Sequence, residues 1–299
     1  MYKMKKRWSL FSVINYLFLA LFSFTTLYPF IYIIAYSLSD GVEAMNHPIY
    51  FLPRGFTFEN YVTIFQDSKF LDAYVITILR TIIGTSLHVF LSALFAYALT
   101  RKELPGKTFL TFYIFIPSIF GGGMIPNFIL YRELGLINNF WVYVFPFLFS
   151  FFHIIIMRTF FQQLPSSLEE SAQIDGASNF RVFMKIILPL SMPVLATIAL
   201  FQGVFHWNDW FTGTYFVTKE SLRPVQTLLN QLLTESEALA NAAQRASQTG
   251  TTVSNGMITV TPESLRMATL IVATLPIICI YPFLQKYFVK GVMIGSIKE

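Results

Sequence analysis

The chain has 299 residues, of which 55% are apolar, 17% aromatic and only 12% charged. Because soluble domains carry roughly 25% charged residues, this composition excludes an ordinary soluble protein. The formal net charge of +5 does not indicate nucleic-acid binding, since the basic residues follow the membrane pattern described below.

Six long segments without Asp, Glu, Lys or Arg predict helices that cross a membrane, which takes about 20 residues each. The uncharged segments are residues 8–39, 81–100, 108–131, 134–157, 186–208 and 267–285. From them we expect spans at about residues 8–37, 73–100, 108–131, 139–161, 186–206 and 267–287. The predicted fold class is therefore all-α, a polytopic membrane protein that forms a single transmembrane domain over residues 1–299.

The first span has an uncharged core longer than the roughly 7–15-residue apolar region of a secretory signal, so we interpret it as retained. The sole cysteine, Cys279, lies inside the last predicted span. We therefore expect no disulfide within the chain.

The basic residues orient the predicted spans. With the N-terminus in the cytoplasm, thirteen of the 21 Lys and Arg residues fall on cytoplasmic segments, whereas the two shorter outer segments hold only Arg54, Lys69 and Arg132. This positive-inside asymmetry predicts six spans with both termini in the cytoplasm.

The third predicted span is interrupted by Pro117, Gly121–Gly123 and Pro126. One interpretation is a close helix crossing, which small glycines permit. The other is a broken helix beside a transport path, because lipid tolerates free backbone groups only where protein or a water-lined cavity satisfies them.

A concentration of charge over residues 164–186, between the fourth and fifth spans, predicts a helix-turn-helix on the cytoplasmic face. Ser166 and Ser167 each precede a glutamate by three residues, Glu169 and Glu170. This is the spacing of a capping box at a helix N-terminus.

The turn of this element is predicted at Asp175-Gly176, where Gly176 is free to adopt a positive φ angle. Ser178 can cap the second helix, and Pro189 marks the start of the fifth span. A solvated loop is the alternative, but small residues at the corner, Ala172 and Gly176, favour the close approach of a partner protein.

Residues 207–266 are predicted to form a long outer loop. Its middle, residues 224–248, has helical composition, and residues 249–256 have the composition of a flexible loop. A helix then restarts with Thr261 as N-cap and Pro262 in the first turn.

One spacing resembles the cytoplasmic motif of the permeases of ATP-binding-cassette (ABC) importers, which is E-A-A, three residues, G, nine residues, I-x-L-P. The chain reads Glu170-Ser171-Ala172, three residues, Gly176, nine residues, Ile186-Ile187-Leu188-Pro189. Ser171 is the one departure and replaces one small residue by another. A wider pattern consists of IDGAS at residues 174–178, ILPLSMPVLAT at 187–197 and the ending YPFLQKYFVKGVMIGSIKE at 281–299. With it the chain resembles, over essentially its whole length, the carbohydrate-uptake, MalG-like branch, and more narrowly the second permease of complex-oligosaccharide importers of the LplC/YtcP type.

The resemblance implies an ABC importer type I permease fold with several partners. They are a second permease subunit, two ATP-binding ATPase subunits, an extracellular solute-binding lipoprotein or periplasmic protein, the oligosaccharide and membrane lipid. It also implies that the helix-turn-helix contains the coupling helix that docks on one ATPase, through Glu170, Ser171, Ala172, Asp175, Gly176 and Phe180. ATP and Mg²⁺ would be used by the partner ATPase, and we expect no cofactor in this chain.

The motifs G-x-x-x-x-G-K-[ST], H-E-x-x-H and G-x-S-x-G do not occur in the sequence, so we expect neither ATPase activity nor catalytic residues in this chain. The four histidines, His47, His88, His153 and His206, fall on different segments. This favours isolated packing or surface roles over a metal site. We expect no enzyme, no bound metal and no nucleic-acid partner.

Aromatic rings flanked by hydrogen-bonding groups at membrane depth are candidates for a sugar path. They are Asn127, Tyr131, Trp207, Asn208, Asp209 and Trp210. Anchoring at the membrane interface is the alternative for Tyr131 and Trp210, and capping of the following turn is the alternative for Asp209.

Arg80 is the one charge well inside a predicted span. It lies only about 10 Å from the outer end by helix rise, so snorkelling of its side chain to the surface is the first interpretation. The alternative is that Arg80 faces the path and favours acidic sugars such as uronate-containing oligomers.

Together these features predict a permease subunit of an ATP-driven oligosaccharide importer in a bacterial plasma membrane. The nearer alternative is the same architecture importing peptides, amino acids or polyamines. The more distant alternative is a self-sufficient secondary transporter or membrane enzyme.

Overall fold

The computed structural model describes residues 10–234 and 260–296, excluding the side chains of residues 281 and 283–296. Apart from one isolated antiparallel bridge between Ser39 and Phe56, the regular elements in this range are helical. The predicted all-α class is confirmed.

The helices follow one another in a simple order along the chain. They are α1 Leu10–Ser37, α2 Gly41–Asn46, α3 Glu59–Gln66, α4 Ser68–Ala98, α5 Lys107–Ile119, α6 Met124–Glu133, α7 Phe151–Phe161, α8 Ser166–Ile174, α9 Asn179–Val182, α10 Leu188–Leu190, α11 Met192–Asn208, α12 Phe211–Phe216, α13 at residues 225–234 and α14 Pro262–Ser296. Short 3₁₀ segments lie at Phe140–Tyr143, Phe145–Phe147 and Glu220–Leu222, and a π-helical turn at Phe183–Ile187.

Three helices in the described range are long and apolar enough to cross a bilayer singly, namely α1, α4 and the Pro262–Ile280 part of α14. Three further pairs meet the same criterion jointly but are bent. They are α5 with α6 at 119°, Phe140–Phe147 with α7 at 52°, and Asn179–Leu190 with α11 at 81°. If each bent pair is one crossing, the number of spans is six, which is compatible with the prediction.

The predicted outer loop over residues 207–266 is partly helical, since it contains α12, a 3₁₀ segment and α13. The predicted flexible stretch at 249–256 lies outside the described residues, as do residues 1–9 and 297–299. At the restart of the helix, the Thr261 hydroxyl accepts the Ser264 N–H at 3.3 Å. The predicted N-cap is therefore confirmed.

The π-helical turn before the fifth predicted span has a local cause in Pro189. A proline lacks the N–H of a regular helix, and its ring collides with the carbonyl four residues earlier. Here the Leu188 N–H bonds to the Phe183 carbonyl, five residues back, which widens the turn. The predicted start of the span at Pro189 thus coincides with a distortion of the helix.

Contacts divide the chain into two units, one of Met1–Asp67 with Gln231–Thr274 and another of Ser68–Asn230 with Leu275–Glu299. In the first unit α1 buries only Ala35, Tyr36 and Ser37 within the protein. Most of the apolar surface of α1 is therefore exposed.

The first unit is held by Asn60, a fully buried residue of α3. Its amide donates to the carbonyls of Ser37 and Ser39 at 2.9 and 3.0 Å, and its Oδ1 accepts the Ser264 hydroxyl at 2.8 Å. Since an unpaired buried amide is costly, these three bonds fix α3 against two other parts of the unit.

In the second unit α4 is the central helix and packs against α7 and α11. Two apolar clusters lie along it. The cluster near its C-terminal end includes Ala93, Ala96, Tyr97, Met157 and Phe183, and the other includes Leu136, Val142, Tyr143, Phe216 and Val217.

Replacing Asn60 by leucine should lower the thermal stability of the purified protein, because the Ser37 and Ser39 carbonyls lose a donor in a buried site. A buried polar group left unpaired costs about 1–3 kcal/mol. Thermal unfolding in detergent measures the loss. Asn46→Leu, at an exposed position of α2, is the matched control and should change little. Equal melting temperatures for the two variants would contradict the role of Asn60.

Candidate functional site

The buried face of α4 carries polar residues at three- to eight-residue intervals: Thr77, Arg80, His88 and Ser92. Positions three and four apart share one helix face. Because polar groups at membrane depth are expensive unless paired inside the protein, their partners show how this helix is held.

Arg80 is paired with Asp209, which follows α11. The Arg80 side chain is 0% exposed, Nη2 donates to the Asp209 carbonyl at 2.6 Å, and Nη1 lies 3.4 Å from the carboxylate. The guanidinium also lies 5.0 Å from the ring centroid of Tyr143. The snorkelling interpretation of Arg80 is therefore wrong, because the charge is neutralised inside the protein.

Asp209 has a second role at the same place. Its Oδ1 accepts the Thr212 N–H at 3.1 Å, so the predicted capping of the following turn is confirmed. One carboxylate thus orients the start of α12 and balances the buried charge of Arg80.

Two further bonds fix the segment after α12 to the centre of the unit. The Val225 N–H donates to the Thr77 hydroxyl at 2.9 Å, and the Tyr143 hydroxyl donates to the Leu222 carbonyl at 2.9 Å. Residues 209–225 of the predicted outer loop are therefore an ordered cover on the N-terminal half of α4.

The rim of this cover is held by polar contacts as well. Asn138, with a φ of +58°, accepts the Thr218 N–H and hydroxyl at 2.6 and 2.9 Å and the Lys219 N–H at 3.0 Å. Lys69 pairs with Glu220 at 2.8 Å, and this hydrogen bond lowers the pKa of the Glu220 carboxyl.

Three of the four histidines lie in one hydrogen-bonded network. His88 contacts His153 at 2.8 Å and the Phe147 carbonyl at 2.7 Å. Gln202 contacts that carbonyl at 3.4 Å and His206 at 3.1 Å. The expectation of isolated histidines is wrong for these three, because α4, α7 and α11 bring distant positions to the same depth.

The network contains no metal-binding cluster, since the described residues hold no group of three His, Cys, Asp or Glu side chains that could bind a metal. Its close packing depends on Gly84 of α4, where an added Cβ would lie 2.5 Å from His206 Nε2. The network therefore serves helix packing in this unit.

At the other end of α4, Arg101 pairs with Glu169 of α8. The two side chains meet at 2.6 Å with 20% and 22% of their surface exposed. The Arg101 guanidinium also lies 4.1 Å from the ring centroid of Tyr97. Sequence reasoning missed this pair, because the residues are far apart in the chain.

The capping box predicted at Ser166 and Ser167 is wrong. Pro165 occupies the N-cap position, Ser166 is the first helical residue, and no side chain caps the helix. Glu169 is instead held by Arg101.

The turn after α8 agrees with the sequence prediction. Gly176 has a φ of +80°, and the Ser178 side chain accepts the Arg181 N–H at 3.4 Å. Both the positive φ angle and the second cap are confirmed.

Two apolar side chains are the most exposed of this helix-turn-helix. Ile174 is 86% exposed and Phe180 57% exposed. Ile174 was not singled out from the sequence, although an isoleucine beside a polar turn is the signal that points to it. A polar depression of about 630 Å³ lies beside α8, and its lining includes Arg101, Glu103, Glu169, Glu170, Gln173 and Asn179.

The residues predicted to form the sugar path do not share one site but contact different side chains. Arg80 and Asp209 are brought together as described above. Trp207 is buried with its ring 6.2 Å from that of Tyr74, and Tyr131 lies 5.0 Å from Phe216. The half-buried and exposed candidates are Asn127, Asn208 and Trp210.

The third predicted span is not one straight helix but two helices, compatible with a broken span or a re-entrant loop. Its halves, α5 and α6, meet at 119° across residues 120–123, and Gly123 has a φ of +83°. No heavy atom lies within 4 Å of the Cβ position at Gly121 or Gly123. Among the described residues nothing packs against Gly121 or Gly123, so no close helix crossing at these glycines is seen there, and the break is exposed.

Comparison with known proteins gives a consistent result over most of the chain. The profile of a family described as binding-protein-dependent transport system inner membrane component matches residues 68–294. The polygalacturonan/rhamnogalacturonan transport system permease protein YtcP of Bacillus subtilis (strain 168) is 37% identical, with 99% of this chain and 100% of YtcP covered. Protein LplC of the same organism is 38% identical, with 96% and 95% covered.

A solved structure is similar as well. It is a crystal structure of a bacterial ABC transporter involved in the import of the acidic polysaccharide alginate. One of its chains matches with a TM-score of 0.83 and 29% identity, covering 96% of this chain and 100% of that chain.

Replacing either Arg80 by glutamine or Asp209 by asparagine should destabilise the protein strongly, because each change leaves a buried group without its partner. Breaking a buried pair costs about 3–5 kcal/mol. Thermal unfolding in detergent gives the measurement. Arg132→Gln, which removes an exposed ion pair with Glu133, is the control. Melting temperatures that are equal for all variants would show that Arg80 and Asp209 are not coupled.

Proposed function

The chain belongs to the family of binding-protein-dependent transport system inner membrane components, and we propose that it is the membrane permease subunit of an ATP-driven oligosaccharide importer. The observation that supports this most directly is the exposed helix-turn-helix at Ser166–Val182, which carries the spacing of the coupling motif. In this proposal the chain itself performs no catalysis.

The proposed substrate class is acidic oligosaccharide. The names of YtcP and of the alginate transporter both specify polysaccharides of acidic sugars. A preference of the transporter for acidic sugars need not come from Arg80, because Asp209 neutralises the Arg80 charge. We therefore assign Arg80 and Asp209 to holding the cover over α4 rather than to contact with sugar.

The proposed assembly contains a second permease, two ATPase subunits and an external solute-binding protein. The family description, binding-protein-dependent transport, supports the last of these. The large exposed apolar surface of α1 supports contact with lipid and a second membrane chain. Both termini face the cytoplasm in this proposal, as the distribution of basic residues indicates.

The proposed ATPase contact is the helix-turn-helix, with Glu170, Ser171, Ala172, Asp175, Gly176 and Phe180. Complete burial of an isoleucine or phenylalanine side chain contributes about 1.5–3 kcal/mol. The exposed Ile174 and Phe180 therefore offer a substantial part of a docking free energy. Closure of the ATPases on ATP would move this element and the spans attached to it.

The proposed sugar path runs along the exposed break between α5 and α6. Free backbone groups at membrane depth must be covered by protein or line a water-filled cavity, and residues 120–123 are exposed in this chain. Asn127 on α6 supplies an amide to this surface. Tyr131, Trp207, Asn208 and Trp210 form the remainder of the proposed path.

The experiment that tests the function uses the assembled importer in proteoliposomes. Calorimetry on its solute-binding protein identifies the cargo, and ATP hydrolysis is measured with and without loaded binding protein. We expect acidic oligosaccharide to bind and to stimulate hydrolysis. A binding protein that takes peptides, amino acids or polyamines would overturn the substrate class. Uptake by this chain alone, driven by an ion gradient, would overturn the ABC importer function.

Gly176→Val should uncouple ATP hydrolysis from sugar uptake while leaving membrane insertion intact. A β-branched residue disfavours the φ of +80° and adds bulk to the proposed docking corner. Gly106→Val is a matched control, since Gly106 also has a positive φ, +69°, and open space around it. The number of ATP molecules hydrolysed per sugar imported is the readout. Normal coupling in the Gly176 variant would show that the corner does not touch the ATPase.

A further inference from the structure

We propose that Arg101 is a positioning residue of the transport cycle, which through Glu169 makes the coupling helix α8 move together with α4. The inference rests on the proposed docking of α8 on an ATPase. It adds a specific connection inside this chain, from the docking element to a membrane span.

The Arg101 side chain is held on two sides. Its guanidinium meets the Glu169 carboxylate at 2.6 Å and lies 4.1 Å from the centroid of the Tyr97 ring. Tyr97 is itself buried and lies 5.2 Å from Phe183. A guanidinium can make both contacts at once, an ion pair on one side and an aromatic face on the other, so Arg101 joins Glu169 to Tyr97.

The pair matters because α8 is otherwise weakly packed. None of its residues is buried, although Ala172 lies against the apolar cluster near the C-terminal end of α4. Within the described residues, Arg101–Glu169 is the ion pair that joins α8 to another part of the chain. About one fifth of each side chain is exposed, so salt screens this pair less than a surface pair.

Beyond Arg101, α4 is suited to carry a displacement across the membrane. Ser68–Ala98 is one continuous helix without an internal proline, whereas α1 and α14 both contain prolines. From Ala98 back to Arg80 the helix rises about 27 Å, close to the thickness of the hydrocarbon core. Arg80 then connects α4 to the cover through Asp209.

Charge reversal and exchange test the proposal in the assembled importer. The single variants Arg101→Glu and Glu169→Arg should each raise the ATP hydrolysed per sugar imported several-fold. The double variant, with the two charges exchanged, should bring this ratio part of the way back, because it restores the ion pair but not the contact of a cation with the Tyr97 ring. A loss of folded protein alone would lower hydrolysis and uptake together and would leave their ratio unchanged. Arg132→Glu, at an exposed pair, is the control.

A milder variant tests the same ion pair if the charge-reversed proteins fail to fold. Glu169→Gln removes the ion pair without introducing a repulsion. Glu169→Gln should raise the ATP hydrolysed per sugar imported, by less than either charge reversal does. Single variants with unchanged coupling, or a double variant as defective as the singles, would overturn the inference.

The proposed function and this inference fail in different ways. If the unmodified chain does not co-purify with an ATPase, the proposed function is wrong and the inference falls with it. If the ATPase is bound and stimulated by loaded binding protein in every variant, with the same coupling ratio, only the role of Arg101 and Glu169 is wrong.

Discussion

The polar groups on the buried face of α4 need partners inside the protein, and much of the second unit is arranged to provide them. Arg80 pairs with Asp209 through its two terminal nitrogens, Thr77 accepts the Val225 N–H, and His88 contacts His153 and a backbone carbonyl. Arg80 Nε and the Ser92 hydroxyl have no hydrogen-bond partner among the described residues. At membrane depth no water replaces a lost partner. The packing of α7 and α11 on α4, and the position of the cover after α12, therefore depend on one polar stripe.

Other predicted spans of the second unit are bent, and for two of them the residues at the break are identifiable. Glycines separate α5 from α6, and Pro189 coincides with a π-helical turn before α11. The continuous α4 lies among these bent helices. This contrast divides the unit into a rigid element, suited to transmit movement, and segments with exposed backbone, suited to line a path.

A charged residue inside a membrane helix is often interpreted as a binding residue. For Arg80 this interpretation changes once its counter-ion is known. An unpaired arginine would favour an acidic ligand, but here Asp209 is the counter-ion. The acidic substrate class that we propose rests instead on the names of relatives. The partly exposed Arg101 and Glu169 lie beside the proposed docking element, which is where an ion pair can respond to a partner protein.

Features that depend on neighbouring residues could be predicted from the sequence. These are the helical class, the apolar spans, the positive φ of Gly176, the Ser178 and Thr261 caps and the coupling-motif spacing. Which distant groups meet became clear from the folded chain alone. Asp209 is 129 positions from Arg80, Glu169 binds Arg101 instead of capping α8, and three histidines share one network. Helix propensity, capping and turn geometry act within a few residues, whereas these pairings arise from the packing of helices far apart in the chain.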